Sequence, residues 1–490
     1  MKSTDTPRPR ATTSRRLAVQ AAPRNQPQPV PTRARPGMPT AAAATTIPPR
    51  ATNPRRLAAE AVTRVTRDGL ALSLTDARLA ELDPRDRGLA LEIAAGTLRH
   101  LTLLDAILDS RMPRPLAKGR HFLRAVLRTA LYQARFLRIP DRAAIHEAVE
   151  LVKDSPDHPK AGFVNAVLRA AIHVEPATLL DAHTDPVARL ALEHSHPAWL
   201  TRRWWHSLGE EATRARLLAN NTPPPLVLRV NGLKSDRDTL LAALGTRGAP
   251  HPLAPDGIII TPSGPVEALP GYREGWFAVQ DAAAQWPARL LDPRPGEEIL
   301  DLCAAPGGKT AQLADLTGNQ ARIHAVDNNP SRLKTLTENL TRLGVQQVTI
   351  TAGDAAHPDL LAGETFDKIL ADLPCTGTGV IRRHPEIKWR RQEEDPRRMA
   401  AIQQTILENC AHRLRPGGLL VYAVCSLEPE EGAERIQEFL STHPHWHRLP
   451  ITPREHPTLP PAAITPEGDL RFEPARDALD GFFIARLKRD

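Results

Sequence analysis

At 490 residues the chain is too long for one compact core, and about three domains are expected. No apolar run reaches the ~18 residues of a membrane helix, no secretory signal opens the chain, and its 4 cysteines include no Cys-x-x-Cys pair. This excludes a membrane-helix protein, a disulfide framework and a zinc site built on paired cysteines, and no metal is expected.

The net charge of +8 is unevenly spread. Residues 1–56 carry 11 of the 64 Lys and Arg but 1 of the 56 acids, which leaves 53 against 55 beyond them. Nucleic-acid contact in the folded body therefore needs local patches rather than the overall field. Residues 1–50, rich in Pro, Arg, Thr and Ala without apolar periodicity, are expected to be a disordered basic tail. Such a tail adds non-specific RNA affinity or is a plain solvated extension, and its composition leaves both open.

At Asn53-Pro54 a helix-start signal appears, followed by a stripe of Leu57, Ala58, Ala61, Val62 and Val65 at helical spacing. Asp83-Pro84 repeats the signal, and further helices fit 120–138, 142–153 and 160–173, so 51–180 reads as an all-α domain. In 120–138, Arg120, Arg124, Arg128, Arg135 and Arg138 share one narrow sector, interrupted by Leu131. That sector reads either as an RNA-facing ridge or as a solvated face.

Residues 185–295 read as a small α+β module, with strands at 226–231 and 257–260 around a helix at 236–244. From 296 to 490 strands and helices alternate, as in an α/β domain with a mostly parallel sheet. Its strands fit 299–302, 321–326, 348–351, 368–371 and 418–423, and 481–487 fits a terminal antiparallel strand.

In such a sheet ligands bind where strands end. The first strand runs into Cys303, Ala304, Ala305, Pro306, Gly307, Gly308 and Lys309, whose glycines allow close backbone approach ahead of a helix N-terminus. The loop is neither a Gly-x-Gly-x-x-Gly fingerprint nor a phosphate loop. Asp327, Asp354 and Asp372 follow three further strands. One such acid is explained by helix capping, but three in succession favour a nucleoside ligand, with Asp327 suited to ribose hydroxyls and Asp354 to an adenine edge. After Asp372 come Cys375, two glycines, and the basic-aromatic run Arg382, Arg383, Lys388, Trp389, Arg390 and Arg391. A thiol beside an acid and such a run suggests chemistry on a nucleobase, with the run stacking on and neutralising RNA; an ordinary basic surface loop is the other reading.

The segments 301–310, 372–379, 382–389 and 422–426, in this order, resemble the S-adenosylmethionine-dependent RNA cytosine-C5 methyltransferases of the RsmB/Sun family. Residues 53–180, through Ala95–Arg99 and Phe163–Arg169, resemble the NusB-like RNA-binding domain. The resemblance implies a Rossmann-like class I methyltransferase domain and methylation of C5 of one cytosine in small-subunit 16S ribosomal RNA. It implies that the loop 303–309 holds the methionine end of S-adenosylmethionine, Asp327 its ribose and Asp354 its adenine. Asp372 would lie between cofactor and cytosine, Cys425 would be the nucleophile, and Cys375 would assist product release. The chemistry fits two thiols: a thiolate adding to C6 makes C5 nucleophilic, and the C5 proton must then leave before the thiolate is eliminated. Lys309 is the candidate for the positive field that favours the thiolate. A cytoplasmic monomer acting on ribosomal RNA, without membrane or metal, is expected.

The sequence departs from the family pattern at Leu373, Thr376 and Val424, and Val424 loses a hydroxyl beside the nucleophile. Glu408-Asn409 superficially resembles a DNA cytosine methyltransferase pair but falls in an expected helix, as does Cys410, read as core. Another RNA as substrate, such as tRNA, and a non-catalytic ribosome-assembly factor are the alternatives. The intact Cys375, Cys425 and strand-end acids weigh against the latter.

Overall fold

The computed structural model describes residues 53–72, 77–261 and 264–490; the tail at 1–50 lies outside them. Asn53 begins the first helix, Pro54–Asp68, as a cap, its side-chain oxygen accepting from the N–H groups of Arg55 (2.8 Å) and Arg56 (3.2 Å). Pro54 takes the first helical position, where a missing N–H costs nothing. Helices Pro84–Arg99, Leu101–Asp109, His121–Phe136, Asp141–Lys153 and Ala161–Ala171 follow. Their apolar stripes meet in one core with Val62, Ile93, Leu104, Leu127, Val152 and Leu168 fully buried.

Four of the five arginines of the sector pair within their own domain. Arg124 donates to Asp105 (2.8 Å) and Asp109 (2.5 Å), and Arg128 donates to Asp105 (2.6 Å), all on the neighbouring helix. Arg120 pairs with Asp157, and Arg135 donates to the carbonyls of Ile172 and Val174, both at 2.8 Å. The row of cations faces acids and helix-end carbonyls inside its own domain. Arg138, the fifth of the row, falls beyond the end of the helix at Phe136 and is exposed.

Three helices that the sequence pattern did not reveal, Pro186–Glu193, Ala198–Leu208 and Glu210–Asn221, come next. They pack Leu190, Leu200, Trp204 and Leu217 against Ile381 and Ile387. A small antiparallel sheet follows: β1 (Leu226–Val230), β2 (Gly248–Pro250), β3 (Gly257–Ile260) and β4 (Phe277–Val279), in the order β2-β3-β1-β4. The expected strands are β1 and β3, and helix Arg237–Leu244 lies between them. The three-residue strands β2 and β4 are too short to show a period of two.

The large sheet contains β5 (Glu298–Leu302), β6 (Arg322–Asp327), β7 (Val348–Ala352), β8 (Phe366–Asp372), β9 (Leu414–Val424), β10 (Trp446–Arg448), β11 (Leu470–Phe472) and β12 (Phe482–Arg489). Its order is β10-β12-β9-β8-β5-β6-β7, with β11 also on β12. The strands from β5 to β9 are parallel, and β12 is antiparallel to β9. Strand alternation sends Leu370, Val421 and Ala423 into a core on one face and Ile369, Ala371, Tyr422 and Val424 into a core on the other. Among the described residues no helix is long and apolar enough to cross a membrane.

Candidate active site

Register brings the strand ends together. Leu302 pairs with Val326 and with Ala371, Asp327 with Ala352, and Asp372 with Ala423. Cys303, Asp327 and Asp372 therefore leave adjacent strands at one edge of the sheet, and Cys425 leaves β9 beside them.

The Cys303–Lys309 loop is fixed by backbone bonds. Ala304 donates to Val326 O (2.9 Å) and Gly307 to Ala304 O (2.8 Å). Gly307 has φ +97°, and a Cβ there would lie 3.3 Å from Leu336, so glycine is needed for both reasons. Asp327 is buried; it accepts from the amides of Ala305 (3.2 Å) and Asn329 (3.0 Å). Asp354 is exposed and accepts from the Ala356 amide (2.9 Å), closing the turn after β7. Burial, then the charges of Asp372, Asp327 and Asp301, push the Cys303 thiol well above its ordinary range, so it stays protonated. Asp327 and Asp372, at adjacent strand ends beside Arg332 and Lys309, offer carboxylate oxygens to a ligand with hydroxyl and amine donors. That donor set fits S-adenosylmethionine, whose sulfonium and ammonium are both positive.

Lys309 donates to Asp372 Oδ2 (2.5 Å) and lies 5.5 Å from the centre of the Phe482 ring. Burial works against its charge, but Asp372 outweighs burial and holds the ammonium above its ordinary value. Cys375 Sγ lies 3.3 Å from Cys425 Sγ. The sheet thus brings together all four residues expected to be catalytic. Cys425 belongs to the face opposite Val424, whose side chain is fully buried among apolar groups. The Val424 side chain therefore packs in the core that Cys375 also touches, rather than in the one Cys425 touches.

Two site residues escaped the sequence reading of acids at strand ends. Glu431, in the turn Pro429–Glu431 after β9, is buried and bonded to the residues that follow both thiols. The acid-rich run Glu428–Glu431, directly behind a strand-end cysteine, was the signal that could have found it. Asp301, inside β5, accepts from Thr310 Oγ1 (2.6 Å), and its Oδ1 has no partner among the described residues. Burial first, opposed by Thr310 and Lys309 and aided by Asp372 and Asp327, pushes its pKa up to about 7. Between the ordinary carboxylate value near ~4 and about 7, the folded state holds a proton that the unfolded chain has lost. Stability therefore falls as pH rises through that window, and the loss is complete above it. Asp301→Asn is expected to gain about 2–3 kcal/mol on the parent between pH 5 and pH 8, by thermal melting of ligand-free protein. A difference in stability that stays constant over that range would refute the assignment.

The expected RNA-contact run is corrected by the structure. Lys388 is 1% exposed, and its Nζ donates to the carbonyls of Arg99 and Ser195 (both 2.7 Å) and to Asn221 Oδ1 (3.0 Å). Trp389 packs on the helical-domain core and donates from Nε1 to Leu98 O (2.7 Å). Arg382 is buried on Asp480 (2.9 Å), Arg383 bridges Asp480 (2.8 Å) and Asp281 (3.0 Å), and Arg390 donates to Gly69 O (2.8 Å). The run is the seam between catalytic and helical domains. Helix-end carbonyls and buried acids take up its donors, so an RNA strand has few of them to bind. Arg391 turns the other way and donates to the carbonyls of Cys375 (2.9 Å) and Thr376 (2.8 Å).

Residues 288–488 match the family described as 16S rRNA methyltransferase RsmB/F. Residues 52–173 match the NusB family, and 196–267 match the ferredoxin-like domain of RsmF/B-like methyltransferases. The chain is 38% identical over 433 residues to the ribosomal RNA small subunit methyltransferase B of Salmonella paratyphi A (strain ATCC 9150 / SARB42), covering 87% of this chain and 96% of that one. Among solved structures, PH0851 is similar with a TM-score of 0.75 and 26% identity, covering 89% of this chain and 99% of that one. A methyltransferase homolog protein from Pyrococcus horikoshii is similar with a TM-score of 0.55 and 31% identity, covering 63% of this chain and 100% of that one.

Proposed function

We propose that this chain, which belongs to the RsmB/F family of 16S rRNA methyltransferases, uses its paired thiols to methylate C5 of one cytosine in small-subunit ribosomal RNA. The observation that carries the reading is the contact of Cys375 and Cys425 beside the Lys309–Asp372 ion pair, at the ligand-binding edge of the sheet. S-adenosylmethionine, when bound, supplies an electrophilic methyl group on a sulfonium. The loop Cys303–Lys309 would hold its methionine end, Asp327 its ribose and Asp354 its adenine.

Cys425 Sγ adds to C6 of the cytosine, and the ring becomes nucleophilic at C5. Lys309 keeps positive charge close to that sulfur, and Asp372 holds both Lys309 and the base edge in place. Cys375 then takes the C5 proton, the C5–C6 double bond re-forms, and the bond from C6 to Cys425 breaks. The order of events has a physical basis. The Cys375 thiol is held up first by its bond to Cys425, then by burial, then by the charge of Cys425. Once Cys425 is bonded to carbon, the first and third of these causes vanish, the Cys375 thiol gives its proton to water more readily, and the thiolate so formed takes the C5 proton.

The target base must lie in a single strand or be flipped out. With the 382–391 run in the domain seam, a groove of about 860 Å³ between helices Asp141–Lys153 and Ala161–Ala171 is the better support for an RNA path on the helical domain. Its lining mixes Arg142, Lys153 and Arg169 with Asp141 and with apolar Ile145 and Val149. The domain limits that go with this reading are 51–180 for the RNA-binding helical domain, 185–295 for the small module and 296–490 for catalysis, in a cytoplasmic monomer. Purified protein given methyl-labelled S-adenosylmethionine and unmethylated small-subunit ribosomal RNA is expected to place label at C5 of one cytosine. No transfer to RNA would sink the reading.

A further inference from the structure

Glu431 forms a junction between the two thiol loops. Its Oε1 accepts from the Thr376 amide (2.8 Å) and from Gln403 Nε2 (3.2 Å). Its Oε2 accepts from the hydroxyls of Thr376 and Ser426, the latter at 2.5 Å. Thr376 follows Cys375 in the chain, and Ser426 follows Cys425. Gln403 also donates to Pro374 O (2.9 Å), and Tyr422 OH donates to the Glu431 carbonyl (2.5 Å). The carboxyl group meets two N–H donors and two hydroxyls, a set that suits the ionised form; burial pushes its pKa up, and the bonds from Ser426 and Thr376 oppose that. A buried charge is expensive, and this one is held by both active loops at once.

We propose that Glu431 is the positioning residue of the thiol pair: its carboxylate locks the Cys375 and Cys425 loops together and, as a fixed negative charge, reserves the thiolate for Cys425. The proposal rests on the two-thiol reading above. Ordinary packing explains neither half of the arrangement. A purely structural role needs no charge, and apolar side chains would fill the space without burying one. The charged and titratable groups facing the pair are Asp372 with Lys309 on one side and Glu428, Tyr422 and, behind Tyr422, Arg435 on the other; Arg391 sits at the Cys375 carbonyl. Glu431 is among the charges that hold the Cys375 thiol up, behind its bond to Cys425, burial and the Cys425 charge.

The test uses the full chain and Glu431→Gln, which keeps the shape and removes the charge. Iodoacetamide alkylation of Cys375, followed by peptide mass spectrometry across pH, reads the thiol directly and needs no RNA. Its midpoint is expected to move to lower pH by about half a unit or more. kcat is expected to fall about tenfold with KM for RNA within twofold, because the sulfurs lose alignment rather than affinity. An unmoved midpoint overturns the charge role, and an unchanged kcat overturns the positioning role. Should Glu431→Gln not fold, Ser426→Ala removes one contact and keeps the charge; a lowered kcat with an unmoved midpoint supports the proposal, and an unchanged kcat overturns it. Wild-type methyl transfer is measured alongside. If that fails, the functional reading fails, while the alkylation midpoint still decides what Glu431 does.

Discussion

Cys425→Ala is expected to lower methyl transfer by about 10⁴-fold or more and to abolish any covalent RNA adduct. Without a nucleophile at C6, C5 of cytosine is too poor in electrons to attack, and no other group at the site supplies that activation. Cys375 is the nearest alternative, at 3.3 Å, but its loop leaves a different strand and is held by Glu431 and Arg391. The fold should survive, because Cys425 lies at the end of β9 and shortening it opens little space in the apolar core. The measurements are the initial rate with labelled methyl donor and a denaturing gel with RNA containing 5-fluorocytidine, which blocks loss of the C5 substituent. Residual activity above about one part in 10² would mean that Cys375 attacks, and the roles would need to be exchanged.

Cys375→Ala is expected to have the opposite signature. The first bond still forms at Cys425, but the C5 proton has lost its acceptor, so the adduct accumulates on ordinary RNA and survives denaturation. Turnover is expected to fall about 10²–10³-fold, the usual contribution of a positioned base. Melting should barely change, because Thr376, Glu431 and Arg391 hold the loop through the backbone and neighbouring side chains rather than through the sulfur. The double variant should form no adduct. Adduct in Cys425→Ala and none in Cys375→Ala would reverse the assignment.

The residues of the candidate site were legible because their information is local. A strand followed by Cys303–Lys309, acids at Asp327, Asp354 and Asp372, and cysteines after β8 and β9 are read from short windows, since apolar runs and glycines mark strand ends. Parallel pairing then makes neighbours of whatever follows each strand, so acids scattered along the chain converge. The terminal strand β12 was legible for the same reason. The helices at 186–221 were not, because their apolar residues face Ile381 and Ile387 of another domain, and short helices show little period.

What the sequence by itself determined is the chemistry at the strand ends: which residues are thiols, acids and glycines, and where along the alternating pattern they fall. What only the tertiary structure decided is where the charged side chains find partners. Arg382–Arg390 read as a cationic surface for RNA, yet Lys388 and Trp389 end on Arg99, Ser195 and Leu98 carbonyls. Arg124 and Arg128 read as part of an RNA ridge or a solvated face, yet they face Asp105 on the preceding helix. Glu431 carries no mark beyond its acidic neighbours in the sequence, yet it joins both thiol loops. Apolar spacing and turn residues act through neighbours in the chain and are therefore written in it. A long, polar side chain satisfies its charge with whatever carbonyl or carboxylate the fold brings within about 3 Å, and a carbonyl leaves no mark in the sequence.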